Sequence, residues 1–417
     1  MKSDMMQGVS RRSFMRILGA ASAAATSLPA FAAIQQPAAQ APTTPARRGR
    51  MGGFPQLGPD AVIISANENP LGPAQSALAA INGTAMQGGR YHGEIYDKTI
   101  AVFNEQFGLR NDYSALFPGS GGPLDLALMS NIGPDKPLVY GDPSYEQGPR
   151  AADKMKAPKY PVPLTATYAH DVKAMLKAHP SPGAYYIVNP NNPTGTMTPK
   201  ADLVWLVNNK PKGSVVIIDE AYHHFSDDES CIDLVAQDKD VIVMRTFSKV
   251  YGMAGLRAGF AVARPDLIER FQCVGGPSQS LASISITSAA AARASLQDKD
   301  LVPLRKKINS DIRSETLEFL TKHGYKIIPG SQANMFMVDV KRPGREFQMT
   351  MLKENVAIGR TWSAMPNYVR VTVGTKAEME KFQTAFVKCM DMPPGAANGA
   401  AELHLPQFHV PSELYRG

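Results

Sequence analysis

Lys249 follows the apolar run Val241–Met244 inside a polar cluster of Arg245, Thr246 and Ser248, and a glycine-punctuated segment then brings in Arg257. A lysine just past a buried strand, ringed by hydroxyls and a second cation, can form a Schiff base with a carbonyl compound beside an anion pocket. An ordinary solvated lysine in a surface loop has the same local sequence, so the rest of the chain must decide. Further polar clusters stand at Ser120-Gly121-Gly122, Tyr145, Asn192 and Asp219/Tyr222. His223 and His224 also stand together, but no cysteine or carboxylate lies at metal-ligand spacing from them, so they read as structural and no metal site is expected.

Each of these clusters is positioned by the element before it. Pro137–Tyr140, Ala184–Val188, Val215–Ile218 and Val241–Met244 are short aliphatic runs, and helical patterns such as Asp202–Asn208 lie between them. That alternation predicts a mostly parallel, seven-stranded-type α/β sheet covered by helices on both faces. Ligands of such sheets bind at the carboxyl ends of the strands, where Tyr145, Asn192, Asp219, Tyr222 and Lys249 all fall. Gly119 to Pro123 leads into an apolar helix, Leu124–Ile132, with Pro123 expected at its first position. Such a loop can present backbone N–H groups to a phosphate, although a plain glycine turn would read alike. After residue 298 the texture changes to a long helix (Leu304–His323), half-buried strands (Asn334–Val340, Tyr368–Val373) and a closing helix (Lys376–Met390), a smaller α+β domain.

Pyridoxal 5'-phosphate requires an amine for its aldehyde, a carboxylate to keep its ring nitrogen protonated, donors to its phenolate oxygen and a phosphate cradle. The chain offers Lys249 as the amine and Asp219 as the carboxylate. Asn192 and Tyr222 could hold the phenolate oxygen. Ser120, Gly121, Gly122, Thr246, Ser248 and Arg257 could hold the phosphate, and Tyr145 could stack on the ring.

NPNNPTG (189–195), DEAYHHF (219–225) and SKVYGMAGLRAGF (248–260), in this order, resemble fold-type I, class I/II aminotransferases. ANENPLGP (66–73) and NYVRVTVGT (367–375) are similar to the histidinol-phosphate aminotransferase group within them. The resemblance spans about 60–390. It implies that Lys249 carries the cofactor and is the base of a 1,3-proton shift, and that Asp219 pairs with the ring nitrogen. It also implies that Arg370, with Asn67 nearby, binds the substrate α-carboxylate, and that Arg360 contacts a distal anion. Tyr91 matches a tyrosine offered to the neighbouring subunit's phosphate, which implies a homodimer. The substrates implied are an amino acid or amino-phosphate donor and a 2-oxo acid acceptor. A decarboxylase or lyase of the same cofactor fold, or a catalytically silent relative, is the alternative. Gly121 and Gly122 stand where the group commonly carries acidic residues, which leaves cofactor binding intact and substrate identity open.

The formal net charge of +7 is concentrated at the start of the chain. Residues 1–50 hold seven Lys/Arg against Asp4, or +6, so the remainder is near neutral and gives no case for nucleic-acid binding. SRRSFMR (10–16), a weakly apolar run and a small-residue site near Ala32–Ala33 read as a twin-arginine signal, implying the export machinery as partner and a periplasmic location. The expected organisation is a signal (1–33), a linker (34–59), an N-terminal arm contributing to the small domain (60–90), a large cofactor-binding domain (91–297), a small domain (298–390) and a tail (391–417). Three cysteines imply no disulfide framework.

Overall fold

Val215–Asp219 and Val241–Thr246 are buried at every position, the signature of strands covered on both faces. The computed structural model describes residues 57–58, 60–275 and 284–393. The expected signal, most of the linker and nearly all of the tail lie outside the described residues.

The strands in chain order are β1 (Val62–Ile64), β2 (Ser114–Phe117), β3 (Leu138–Asp142), β4 (Lys159–Pro163), β5 (Ala184–Val188), β6 (Val215–Asp219), β7 (Val241–Thr246), β8 (Gly259–Val262), β9 (Met335–Asp339), β10 (Val356–Ile358) and β11 (Tyr368–Thr372). Seven form one sheet in the order β2-β8-β7-β6-β5-β3-β4. Within it β8 runs antiparallel to both neighbours and the other pairings are parallel. The sheet is thus the mostly parallel α/β type expected. One apolar cluster, with Tyr185, Val216 and Val243, fills one face, and a second, with Tyr186, Ile217 and Met244, fills the other. The alternation of strand side chains sends neighbouring residues to opposite cores.

The remaining strands make two pairs, β1 parallel with β10 and β9 antiparallel with β11. Their core includes Leu320 of the helix Leu301–Lys322 and Phe382 and Phe386 of the helix Lys376–Asp391. The latter helix opens with a capping box between Thr375 and Glu378. β9 and β11 are not half-buried as their alternation suggested; each has four of five residues buried. Phe336, Val338, Val369 and Val371 fill the small core, while the alternate face of β9 adds Met335 to a large-sheet core and that of β11 carries Arg370 and Thr372. Polar alternation here marks a site face rather than a solvent face.

One helix also differs in its bounds. The helix after the glycine loop runs Gly121–Met129, so Pro123 is its third residue, not its first. A missing N–H is harmless there, because first-turn amides have no intrahelical acceptor. Among the described residues no helix is long and apolar enough to cross a membrane.

Candidate active site

The strand ends supply the site. The loop after β2 and the loop after β7 meet at Gly119 and Arg257. Gly119 has φ +80°, and a Cβ on it would lie 2.2 Å from Arg257 Nη2. Arg257 itself holds a left-handed backbone (φ 57°), an unfavourable conformation for a non-glycine residue and one that clusters at functional sites. Its Nη1 donates to Ser248 Oγ (3.3 Å) and Ala254 O (2.9 Å). Thr246 Oγ1 donates to Ser248 Oγ (2.9 Å) and accepts from Ser248 N (3.1 Å). Ser120 is the N-cap residue of Gly121–Met129, and its side chain does not cap the helix. First-turn N–H groups and a guanidinium therefore share one corner, an anion site by geometry and charge.

Asp219 ends β6 and is 4% exposed. Its side chain accepts from Ala221 N at 3.1 Å. Burial raises its carboxyl to about 6, offset in part by that amide and by the charge of Lys249. Lys249 keeps some surface open to solvent, yet loss of hydration around the amine is the largest influence on it. Together with the charge of Arg370, it lowers Lys249 to about 8. The amine donates to Ala66 O (3.3 Å) and lies 5.3 Å from the centre of the Tyr222 ring. Tyr222 Oη accepts from Asn67 Nδ2 (3.1 Å) and Asn192 Nδ2 (3.3 Å). Tyr145 follows β3 and packs against the large-sheet core, and burial raises its phenol, with Tyr222 and Asp219 adding to the effect.

Arg370 is buried on β11. It donates from Nη1 to Asn192 Oδ1 (2.8 Å) and from Nη2 to Ser65 O (2.6 Å), and among the described residues its Nε has no partner. A guanidinium has five N–H donors, so several remain for a ligand. Asn67 is fixed by Thr372, whose Oγ1 accepts from Asn67 N (3.0 Å) and donates to Asn67 Oδ1 (2.9 Å). Arg360 is ion-paired with Glu146. Tyr91 is 92% exposed. His224 Nε2 meets Arg245 Nη1 at 3.0 Å, and His223 is buried and lowered to about 4 by lost hydration. Among the described residues no group of His, Cys, Asp or Glu has metal-binding geometry.

A family model described as aminotransferase class I and II matches residues 59–386. The chain belongs to the aminotransferase class I and II family. This aminotransferase is 32% identical over 327 residues to histidinol-phosphate aminotransferase 1 of Nitrosococcus oceani, covering 77% of this chain and 87% of that one. It is 31% identical over 330 residues to an aromatic amino acid aminotransferase of Cutibacterium acnes, covering 78% and 91%. In fold it is similar to the histidinol-phosphate aminotransferase of Sinorhizobium meliloti in complex with pyridoxal-5'-phosphate, with TM-score 0.71, 22% identity, and 79% and 91% of the two chains covered. The aminotransferase is a transaminase that uses pyridoxal phosphate.

The residues fit that cofactor. Asp219 is a buried carboxylate whose one hydrogen bond among the described residues comes from a backbone amide, and a protonated ring nitrogen is the counter-charge it lacks. Lys249, Asn192, Tyr222, Tyr145 and the Gly119–Arg257 corner surround it by strand position.

Sequence reasoning missed several contacts of the aminotransferase site. Ser65 and Ala66 act through backbone carbonyls, which carry no side-chain signature. Thr372 faces the site two residues after Arg370 on the same strand face, a period-two signal that was legible. Glu146 and Trp362 gave no signal, because their partners are distant in the chain.

Proposed function

We propose that the enzyme moves an amino group between an amino acid or amino-phosphate and a 2-oxo acid, with Lys249 both carrying the cofactor and moving the proton. The observation that carries this reading is Lys249 lowered to about 8 beside a buried Asp219 raised to about 6. Such paired perturbation in a cleft is the electrostatic mark of acid–base work. When bound, pyridoxal phosphate supplies an electron-withdrawing ring and an aldehyde carbon to carry the amino group.

The chain's own residues would divide the work as follows. Ser120, Gly121, Gly122, Thr246, Ser248 and Arg257 hold the phosphate. Asp219 holds the ring nitrogen protonated, Asn192 and Tyr222 hold the phenolate oxygen, and Tyr145 packs on the ring. Arg370 takes the substrate α-carboxylate through its unused N–H donors, with Asn192 and Ser65 fixing its plane. The Lys249 amine, neutral above about pH 8, takes the proton from the substrate Cα and returns it one position along.

Tyr91, exposed in this chain, is proposed to reach the phosphate site of a second copy in a homodimer. The twin-arginine segment is proposed to export the folded enzyme to the periplasm, and periplasmic extraction with replacement of Arg11 and Arg12 by Lys tests this. The relatives' names span a phosphorylated and an uncharged donor, so the donor is decided by experiment. A screen of amino donors against several 2-oxo acids, following the new amino acid, should show transfer. Carbon dioxide release without transfer would favour the decarboxylase alternative.

A further inference from the structure

We propose that Glu146 determines substrate specificity: by holding Arg360 it makes the far end of the substrate site electrically neutral, favouring amino donors with an uncharged side-chain end over dicarboxylic or phosphorylated ones. This rests on the transaminase reading above and narrows it.

The other charges of the site have work to do. Arg257 faces the anion corner, Asp219 the ring nitrogen and Arg370 the α-carboxylate. Among the charges felt by Arg370, those left for the donor's far end are Arg360 and Glu146, whose side chains are 33% and 32% exposed and so remain open to solvent. The pair lies close to the chemistry. The Arg360 guanidinium sits 4.7 Å from the centre of the Trp362 ring and that of Arg370 sits 5.4 Å from the same ring. Both Glu146 and Arg360 are also among the charges felt by the Arg370 guanidinium.

The pair is also held in place. Trp362 is buried, and its Nε1 donates to Ser144 O at 3.0 Å. Ser144 is two residues before Glu146, and Trp362 two after Arg360. One indole hydrogen bond therefore latches the Glu146 segment to the Arg360 segment. A free Arg360 would attract a distal anion. A paired Arg360 must first release Glu146, and the incoming anion then meets a carboxylate left without its counter-charge.

Calorimetric binding of two monoamine-free ligands to the holoenzyme tests this without turnover. Glutarate and 3-phenylpropionate each offer one carboxylate to Arg370, and glutarate alone adds a distal anion. Wild type is expected to bind 3-phenylpropionate more tightly. Glu146→Gln should strengthen glutarate binding about tenfold while changing 3-phenylpropionate about twofold or less, and adding Arg360→Gln should remove the gain. Should the glutamine variant not fold, Glu146→Asp weakens the pair by shortening one side, and a gain for glutarate of about threefold is expected. Three outcomes overturn the proposal: wild type preferring glutarate, a variant that moves both ligands alike, or a variant that leaves glutarate unchanged. Failure of the transaminase reading shows separately, as no transfer from any donor while these binding differences persist.

Discussion

The Arg257 guanidinium occupies the space that a side chain on Gly119 would need, with Nη2 2.2 Å from where a Cβ would stand. Loop and arginine are therefore one feature, although 138 residues separate them. Gly119→Ala should push Arg257 aside and add about 1–2 kcal/mol of backbone strain at φ +80°. We expect a folded protein, by circular dichroism, with affinity for pyridoxal phosphate reduced about tenfold or more. Unchanged affinity would show that Arg257 does not need that corner.

Asp219 carries a pH signature of opposite sign to the usual salt-bridged carboxylate. Burial raises it from 3.8 to about 6, so the folded protein binds its proton more tightly than the unfolded chain does. Stability of the cofactor-free protein then falls as pH rises from about 4 to 6, and the cost is fully present above that. Asp219→Asn, which keeps an acceptor for Ala221 N, should stabilise the cofactor-free protein at pH 8 by about 2–3 kcal/mol and by less at pH 5. Thermal unfolding at the two values checks this. The same variant should lose most of the transaminase activity.

Lys249 should behave as a weak base. Competitive labelling of the cofactor-free protein with an amine-reactive reagent, read by peptide mass spectrometry, should give it a midpoint near pH 8 while surface lysines react near their ordinary value of about 10.4. Arg370→Gln should move that midpoint upward, because it removes a neighbouring positive charge. A midpoint that stays put would mean that lost hydration alone sets the amine.

Asn192 links the ring side of the site to the carboxylate side, donating to Tyr222 and accepting from Arg370. Asn192→Ala leaves a buried guanidinium short of an acceptor, a loss of about 1.5–3 kcal/mol for a charged hydrogen bond. KM for amino donors should rise about tenfold or more, and Arg370→Lys should behave similarly because a lysine cannot make the planar two-point contact. A change confined to kcat would place Asn192 on the cofactor side alone.

The parts of the site legible in the sequence are those set by local rules. Lys249, Asp219 and Asn192 follow aliphatic strands, and a strand's carboxyl end in a covered sheet is where ligands go. Glycines before a helix gave the anion corner. The Glu146–Arg360 pair spans 214 residues, and nothing in either neighbourhood marks the other as a partner. The antiparallel β8 was equally hidden: Gly259–Val262 is as buried as β6 and β7, which pair in parallel, and a fully buried run carries no sign of strand direction. The alternation around Arg370 does not by itself say what covers its face: Val369 and Val371 pack with Leu320, Phe382 and Phe386, while Arg370 on the opposite face meets Asn192 and Ser65, residues distant in the chain.

β1 does more than pair with β10. The six residues Val62–Asn67 begin with it and end with three consecutive residues that touch the site: the Ser65 carbonyl on Arg370, the Ala66 carbonyl on Lys249 and the Asn67 amide on Tyr222. A peptidase that trimmed the chain to residue 57 would leave them in place. One that cut a dozen residues further would take all three, disarming the enzyme while both large-sheet cores stayed whole. The purity of the amino terminus, checked by intact mass, is thus a measure of how many molecules in a preparation can turn over.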